Sequence, residues 1–133
     1  MNTNFRMPFD SRITKNFVLS EFFQDLKTFQ ECEERYIQNV VVVAEILQIF
    51  RNKKNLPINV SSGFRTFQQN KDCGGTPHSF HKFGLACDFW YKDIEKTFSF
   101  DFEHLKGLFN GVIWYPDKKF FHVDIGNREY YRL

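Results

Sequence analysis

GVIWYPDKKFFHVDIG, residues 111–126, decides the fold. Two runs rich in aromatic and β-branched residues, GVIWY and FFHVDI, flank PDKK, a turn led by proline. Runs of this kind joined by so short a connection form an antiparallel hairpin. Side chains alternate across a strand, so His122 and Asp124 face one side while Phe121, Val123 and Ile125 face the other. The hairpin therefore carries a polar pair on one side of a sheet.

Upstream, GLACDFWY at residues 84–91 reads as a buried strand. Leu85, Cys87 and Phe89 share one side, and Ala86, Asp88 and Trp90 the other. If this strand lies beside FFHVDI, Asp88 and His122 meet across the sheet. His81 precedes the turn at Gly84 and folds back over the same face. A buried carboxylate is costly without a positive neighbour, and a divalent cation supplies one. Two histidines and one aspartate suit a catalytic zinc, Zn2+, which takes nitrogen and oxygen ligands at roughly 2.0–2.2 Å and leaves a vertex for water. Zinc acidifies that water and polarises a carbonyl, the equipment of amide hydrolysis.

The remaining segments complete the architecture. Residues 33–53 form the strongest helix, with Tyr36, Val40, Val43, Ala44, Leu47 and Phe50 on one apolar face. Asn55 and Pro57 close it. NFVLSEFFQDL reads as a short helix entered through Ser20. INVSSGFRT reads as a short strand ending in a turn at Gly63. TFQQNKD allows a helical turn or two, CGGTPHS is a loop, and FDFEHLKGLF is a helix ended by Asn110 and Gly111. REYYRL supplies a last short strand. Helices and strands segregate more than they alternate, which predicts an α+β fold: a small antiparallel sheet flanked by helices.

At 133 residues the chain suits one domain spanning 1–133. It is 42% hydrophobic and 26% charged, enough for a packed core. Its 18 phenylalanines are read as compositional bias rather than function. A net charge of +2 gives no argument for nucleic acid. The polar start, broken by Pro8, shows no apolar leader. VVVVAEILQIF is interrupted by Glu45 and Gln48, so no stable membrane association is expected. Cys32, Cys73 and Cys87 are odd in number and lack CxxC spacing, which speaks against a disulfide scaffold or a cysteine zinc site.

SGFRT at 62–66, Asn70, GGTPHSFH at 74–81, HKFGLACD at 81–88 and FFHVDIG at 120–126 together resemble the peptidase M15 superfamily. These are zinc D-alanyl-D-alanine carboxypeptidases and L-alanyl-D-glutamate or related endopeptidases that cut peptidoglycan stem peptides. Their pattern is SGxR, then SxHxxGxAxD, then a later HxD or HxS. Ser79, His81, Gly84, Ala86 and Asp88 occupy each set position of the middle motif. The likeness runs from about residue 16 to residue 130. It implies the D-Ala-D-Ala carboxypeptidase/hedgehog-like fold, with His81, Asp88 and His122 as zinc ligands. Arg65 would hold a substrate carboxylate or carbonyl, or serve as a structural ion pair. Ser79 would hydrogen-bond beside the substrate or cap the loop.

One position departs from the pattern. Many relatives carry an acid three residues before the last histidine, as general base; here it is Lys119. Asp124 either orients His122 or takes the proton itself, Asp117 at the hairpin turn is another candidate base, or there is none. The resemblance thus implies a monomeric zinc peptidase acting on stem peptides. With no leader visible it would stay in the cytoplasm of the producing cell and meet the wall as phage-encoded lytic enzymes do. The rival is a catalytically weak or inactive wall-binding or structural module, which Lys119 favours. Among other residues, His78 reads as a loop histidine and His104 as a helix residue without a role in the site. Trp90, Tyr91, Trp114 and Tyr115 line a groove or pack the core.

Overall fold

The computed structural model describes residues 6–133; the first five residues, on which part of the leader reading falls, lie outside them. At its centre is the hairpin, strands β3 (Gly111–Tyr115) and β4 (Phe120–Asp124), paired antiparallel with Ile113 opposite His122. Lys119 closes the turn in the left-handed region at φ 59°, its N–H bonded to the Tyr115 carbonyl at 2.8 Å. On the other side of β4 lies strand β2 (Ala86–Trp90), then β1 (Asn59–Ser62), both antiparallel to their neighbours. The last strand, β5 (Tyr130–Arg132), pairs with β3 and runs parallel to it. The order is β1-β2-β4-β3-β5. The sheet is thus mostly antiparallel, not wholly so as the sequence suggests. After β4 the chain reverses and crosses to the far edge of β3, which gives β5 the direction of β3.

Four α-helices are present among the described residues, and the fold is α+β. Helix α2 (Glu34–Lys54) agrees with its apolar periodicity. Val40, Val43, Ala44, Leu47 and Phe50 are buried, Ile37 joins them, and Tyr36 is only half-buried. Asn55 ends the helix with φ 54°. Helix α4 (Ile94–Lys106) starts earlier than its apolar pattern suggests and stops at Gly107 rather than Asn110. Its first turns are charged on the outer face, and Asp93 enters it at φ 62° without a side-chain cap, so the usual start signal is missing.

One face of the sheet is the core. Cys87 and Phe89 of β2, Val112 and Trp114 of β3, and Phe121 and Val123 of β4 are all buried there. Phe50 of α2 packs on Phe89 at 5.7 Å between ring centres, and Phe98 of α4 stacks on Trp114 at 4.5 Å. Each such fully buried side chain contributes roughly 1.5–3 kcal/mol. The opposite face carries Asp88, His122 and Asp124.

Two local readings are corrected. Ser20 does not cap a helix; it sits inside a 3₁₀ turn, Leu19–Phe22, whose entry at Val18 is held by Glu21 accepting the Val18 N–H at 2.7 Å. The α-helix that follows, α1 (Leu26–Glu31), is capped by Asp25, which accepts from the Thr28 N–H at 2.8 Å. Gly63 does not turn the chain. It continues extended, and Phe64 N–H bonds the Phe22 carbonyl at 2.8 Å. The residue must be glycine because a Cβ would collide with the Phe22 backbone.

Candidate metal centre

The pairing of β2 with β4 sets Asp88 opposite His122 and Ala86 opposite Asp124, as the alternation requires. His81 comes from the 3₁₀ helix Phe80–Phe83. Ser79 caps that helix, its Oγ accepting from the His81 N–H at 3.2 Å. Gly84 ends it at φ 71°, pressed so close to α2 that a Cβ would strike the Tyr36 carbonyl. This tight exit turns the chain straight into β2 and hangs His81 over Asp88.

His81 Nε2 lies 3.1 Å from Asp88 Oδ1, and His122 Nδ1 lies 3.0 Å from the same oxygen. One ligand atom from each of the three residues falls within 4.8 Å of the others. His81 and Asp88 are only 3% and 6% exposed.

The outer nitrogens decide the chemistry. His81 Nδ1 is 2.8 Å from the Gly63 carbonyl, which can only accept. His122 Nε2 is 2.8 Å from Asp124 Oδ2, which as a carboxylate also accepts. Each outer nitrogen therefore carries a proton, which leaves the two inner nitrogens, both turned to Asp88 Oδ1, to take a further proton or a metal ion. With both inner nitrogens bare, their lone pairs and the carboxylate oxygen would repel unless a cation lay among them. The donor set, two imidazole nitrogens and a carboxylate with outer N–H groups already held, fits a divalent metal.

A proton can stand in for the metal. Burial pulls the His122 imidazole down, but its hydrogen bonds to Asp124 and Asp88 outweigh this and raise it to about 9. Burial pushes Asp88 up, yet the histidines beside it win and hold its carboxyl well below the usual range.

Arg65 is tied on three sides: Nε donates to Ser62 Oγ at 3.1 Å, one Nη to Asn70 Oδ1 at 3.3 Å, and the other to Asp88 Oδ2 at 3.3 Å. Asn70, 3% exposed, also donates to the Thr76 carbonyl at 2.7 Å, which locks the loop to helix α3 (Phe67–Asp72). Asp88 thus offers Oδ1 to the histidines and Oδ2 to Arg65.

These groups open into a cavity of about 480 Å³, whose lining includes Arg65, Ser79, His81, Asp88, His122 and Asp124. Asp117 is not among them; it is exposed in the β3–β4 turn, beside exposed Lys119. His78 and Tyr115 line the cavity, whereas Tyr91 and Trp114 are buried in the core. His104 lies on α4, stacked on Phe50 at 5.7 Å. Cys32, Cys73 and Cys87 are free thiols.

Sequence reasoning misses four contributors. Gly111 leaves the space that the Asp124 carboxylate fills, a cross-strand relation visible only once the register is known. Arg128 and Arg132 also line the cavity, brought there by the position of β5. The Gly63 carbonyl has no side-chain signal at all.

A family model described as Peptidase M15 matches residues 15–124. No curated protein matches the chain.

Proposed function

The chain belongs to the peptidase M15 family, and from that premise we propose that it is a zinc-dependent peptidase of bacterial peptidoglycan stem peptides. One observation supports the reading above the rest: two imidazole nitrogens, from His81 and His122, converge on a single buried carboxylate oxygen. His81, Asp88 and His122 would hold the ion. Zinc, when bound, acidifies water and polarises a carbonyl.

The chain's own groups do the rest. The Gly63 carbonyl and Asp124 set the tautomer and ring orientation of the two histidines. Arg65 holds Asp88 Oδ2 in place, and its position in the cavity lining lets it meet a substrate carbonyl or carboxylate. Asp88 and Asp124 are the carboxylates of the lining. Asp88 is committed to the histidines and Arg65, so a proton leaving the reacting water goes to Asp124 or to solvent. We assign Asp124 first to orienting His122, since its Oδ1 also accepts the Gly126 N–H at 3.1 Å.

A second reading keeps the scaffold as a wall-binding module of little or no activity. The observation in its favour is that Lys119 and Asp117 point no acid into the cavity, leaving Asp124 with two tasks. Incubation with purified peptidoglycan, with and without a chelator, separates the two. New amino termini seen by mass spectrometry, lost on chelation and restored by zinc, support the peptidase. Binding without new termini supports the module. No helix among the described residues is long and apolar enough to cross a membrane. We extend the reading to a monomeric lytic enzyme of phage type, which clears a wall suspension when added from outside.

A further inference from the structure

The cavity carries more positive charge than its metal centre needs. Its lining holds three arginines, Arg65, Arg128 and Arg132, against two carboxylates, Asp88 and Asp124. Both carboxylates are spent on His122. With neutral histidines the lining is net positive, and a divalent ion makes it more so. A cleft of one sign concentrates ligands of the other.

The arginines differ in what holds them. Arg65 is paired with Asp88. Among the described residues Arg128 and Arg132 have no carboxylate partner; they lie over aromatic rings. Arg128 is 5.9 Å from the centre of Phe80 and 5.1 Å from that of Tyr130, and Arg132 is 5.4 Å from that of Tyr115. Ring stacking steadies a guanidinium while leaving its N–H edge free for a second ligand. Both residues follow the segment matched by the family model, which ends at residue 124.

Register sets the distance. Arg132 is opposite Ile113, Ile113 opposite His122, and His122 opposite Asp88. These residues form one row across the exposed sheet face. Two strand spacings separate Arg132 from His122, about 10 Å, and an extended peptide advances about 3.3 Å per residue. Tyr115 and Phe120, stacked at 4.6 Å, lie along the same face.

Resting on the peptidase reading, we propose that Arg132, assisted by Arg128, is the specificity-determining anion site of this cavity, binding a substrate carboxylate two to three residues from the bond at the metal centre. The carboxylate is either the peptide's own C-terminus or an acidic residue within it.

The probe is N-terminally labelled L-Ala-D-Glu-L-Lys-D-Ala in three forms: unmodified, with the C-terminus amidated, and with the free carboxylate of its D-glutamyl residue amidated. Zinc-loaded wild type, R132Q, R132K and R128Q/R132Q are compared by kcat/KM. Binding is read separately by stopped-flow anisotropy, ahead of any turnover. One amidation is expected to weaken wild type about 10- to 100-fold, the worth of a charge-assisted hydrogen bond pair. That amidation identifies the carboxylate. R132Q should lose the same factor on the acid form and under twofold on the amide, with R132K between. Equal losses on acid and amide, or no loss, overturn the proposal. Preference in binding without product keeps the anion site and sinks the peptidase. Equal cleavage of all three forms does the reverse.

Discussion

Asp124 is the residue on which two roles can be told apart. It holds His122 Nε2 at 2.8 Å, and carboxylates so placed behind a ligating histidine are worth about 10- to 100-fold in metal affinity. Asp124→Ala should weaken zinc by that factor in a competition titration against a chelating dye. Asp124→Asn keeps an acceptor oxygen for His122 but cannot take a proton. It should keep most of the zinc affinity; activity lost beyond the loss of zinc would assign proton transfer to Asp124. His122 itself gives a pH prediction. Its folded pKa is raised to about 9 from 6.5, so in chelator its contribution to stability is complete below about 6.5 and is lost as pH rises through about 9. The thermal midpoint of chelated wild type should fall between pH 7 and pH 10, and His122→Gln should flatten that fall. Zinc has to displace the same proton, so its affinity should rise with pH over the same window.

At the scale of elements, the site depends on how closely strands and turns approach. β3 passes Asp124 at Gly111, where a Cβ would collide with the carboxylate. Gly111→Ala should cost about 1–3 kcal/mol by overpacking and also lower zinc affinity, because Asp124 must move off His122. Urea denaturation and the dye titration together check this; a stability loss with zinc affinity intact would show that Asp124 can be displaced harmlessly. The short helix α3 works in the same indirect way. Thr66 accepts the Gln69 N–H at 3.1 Å to start it, and its Asn70 then braces Arg65. Much of this scale follows from local pattern. Helix α2 and the β3–β4 hairpin are readable because burial imposes periods of 3.6 and 2 on their residues, and strand β2 because it is a short run buried but for its last residue. The start of α4 is not, because Asp93 enters it without a side-chain cap, and the role of Ser20 is not, because Glu21 rather than Ser20 holds the entry of its turn.

For the whole molecule, the sheet is a partition with packing on one face and chemistry on the other. Lys54 at the end of α2 helps to hold the packed side together. It lies 2.9 Å from Asp101 of α4, which is 2% exposed and also accepts from Tyr91 and Thr97. Lys54→Met should destabilise the protein by about 3–5 kcal/mol, since it strands a buried carboxylate. Calorimetry should show this with zinc stoichiometry unchanged, because the network lies on the far side of the sheet from the metal centre. The sequence by itself determined that His122 and Asp124 share a face and that Gly84 turns His81 toward Asp88. Those relations come from strand alternation and turn chemistry, which are local. Only the tertiary structure decided that β2 lies beside β4, which nitrogen of each histidine faces Asp88, that Asp117 stays out of the cavity, and that Arg128 and Arg132 reach its rim. These depend on partners outside the local pattern: the Gly63 carbonyl, where the hairpin turn lies relative to the sheet, and the crossing of β5 beyond β3. No periodicity along the sequence records such partners.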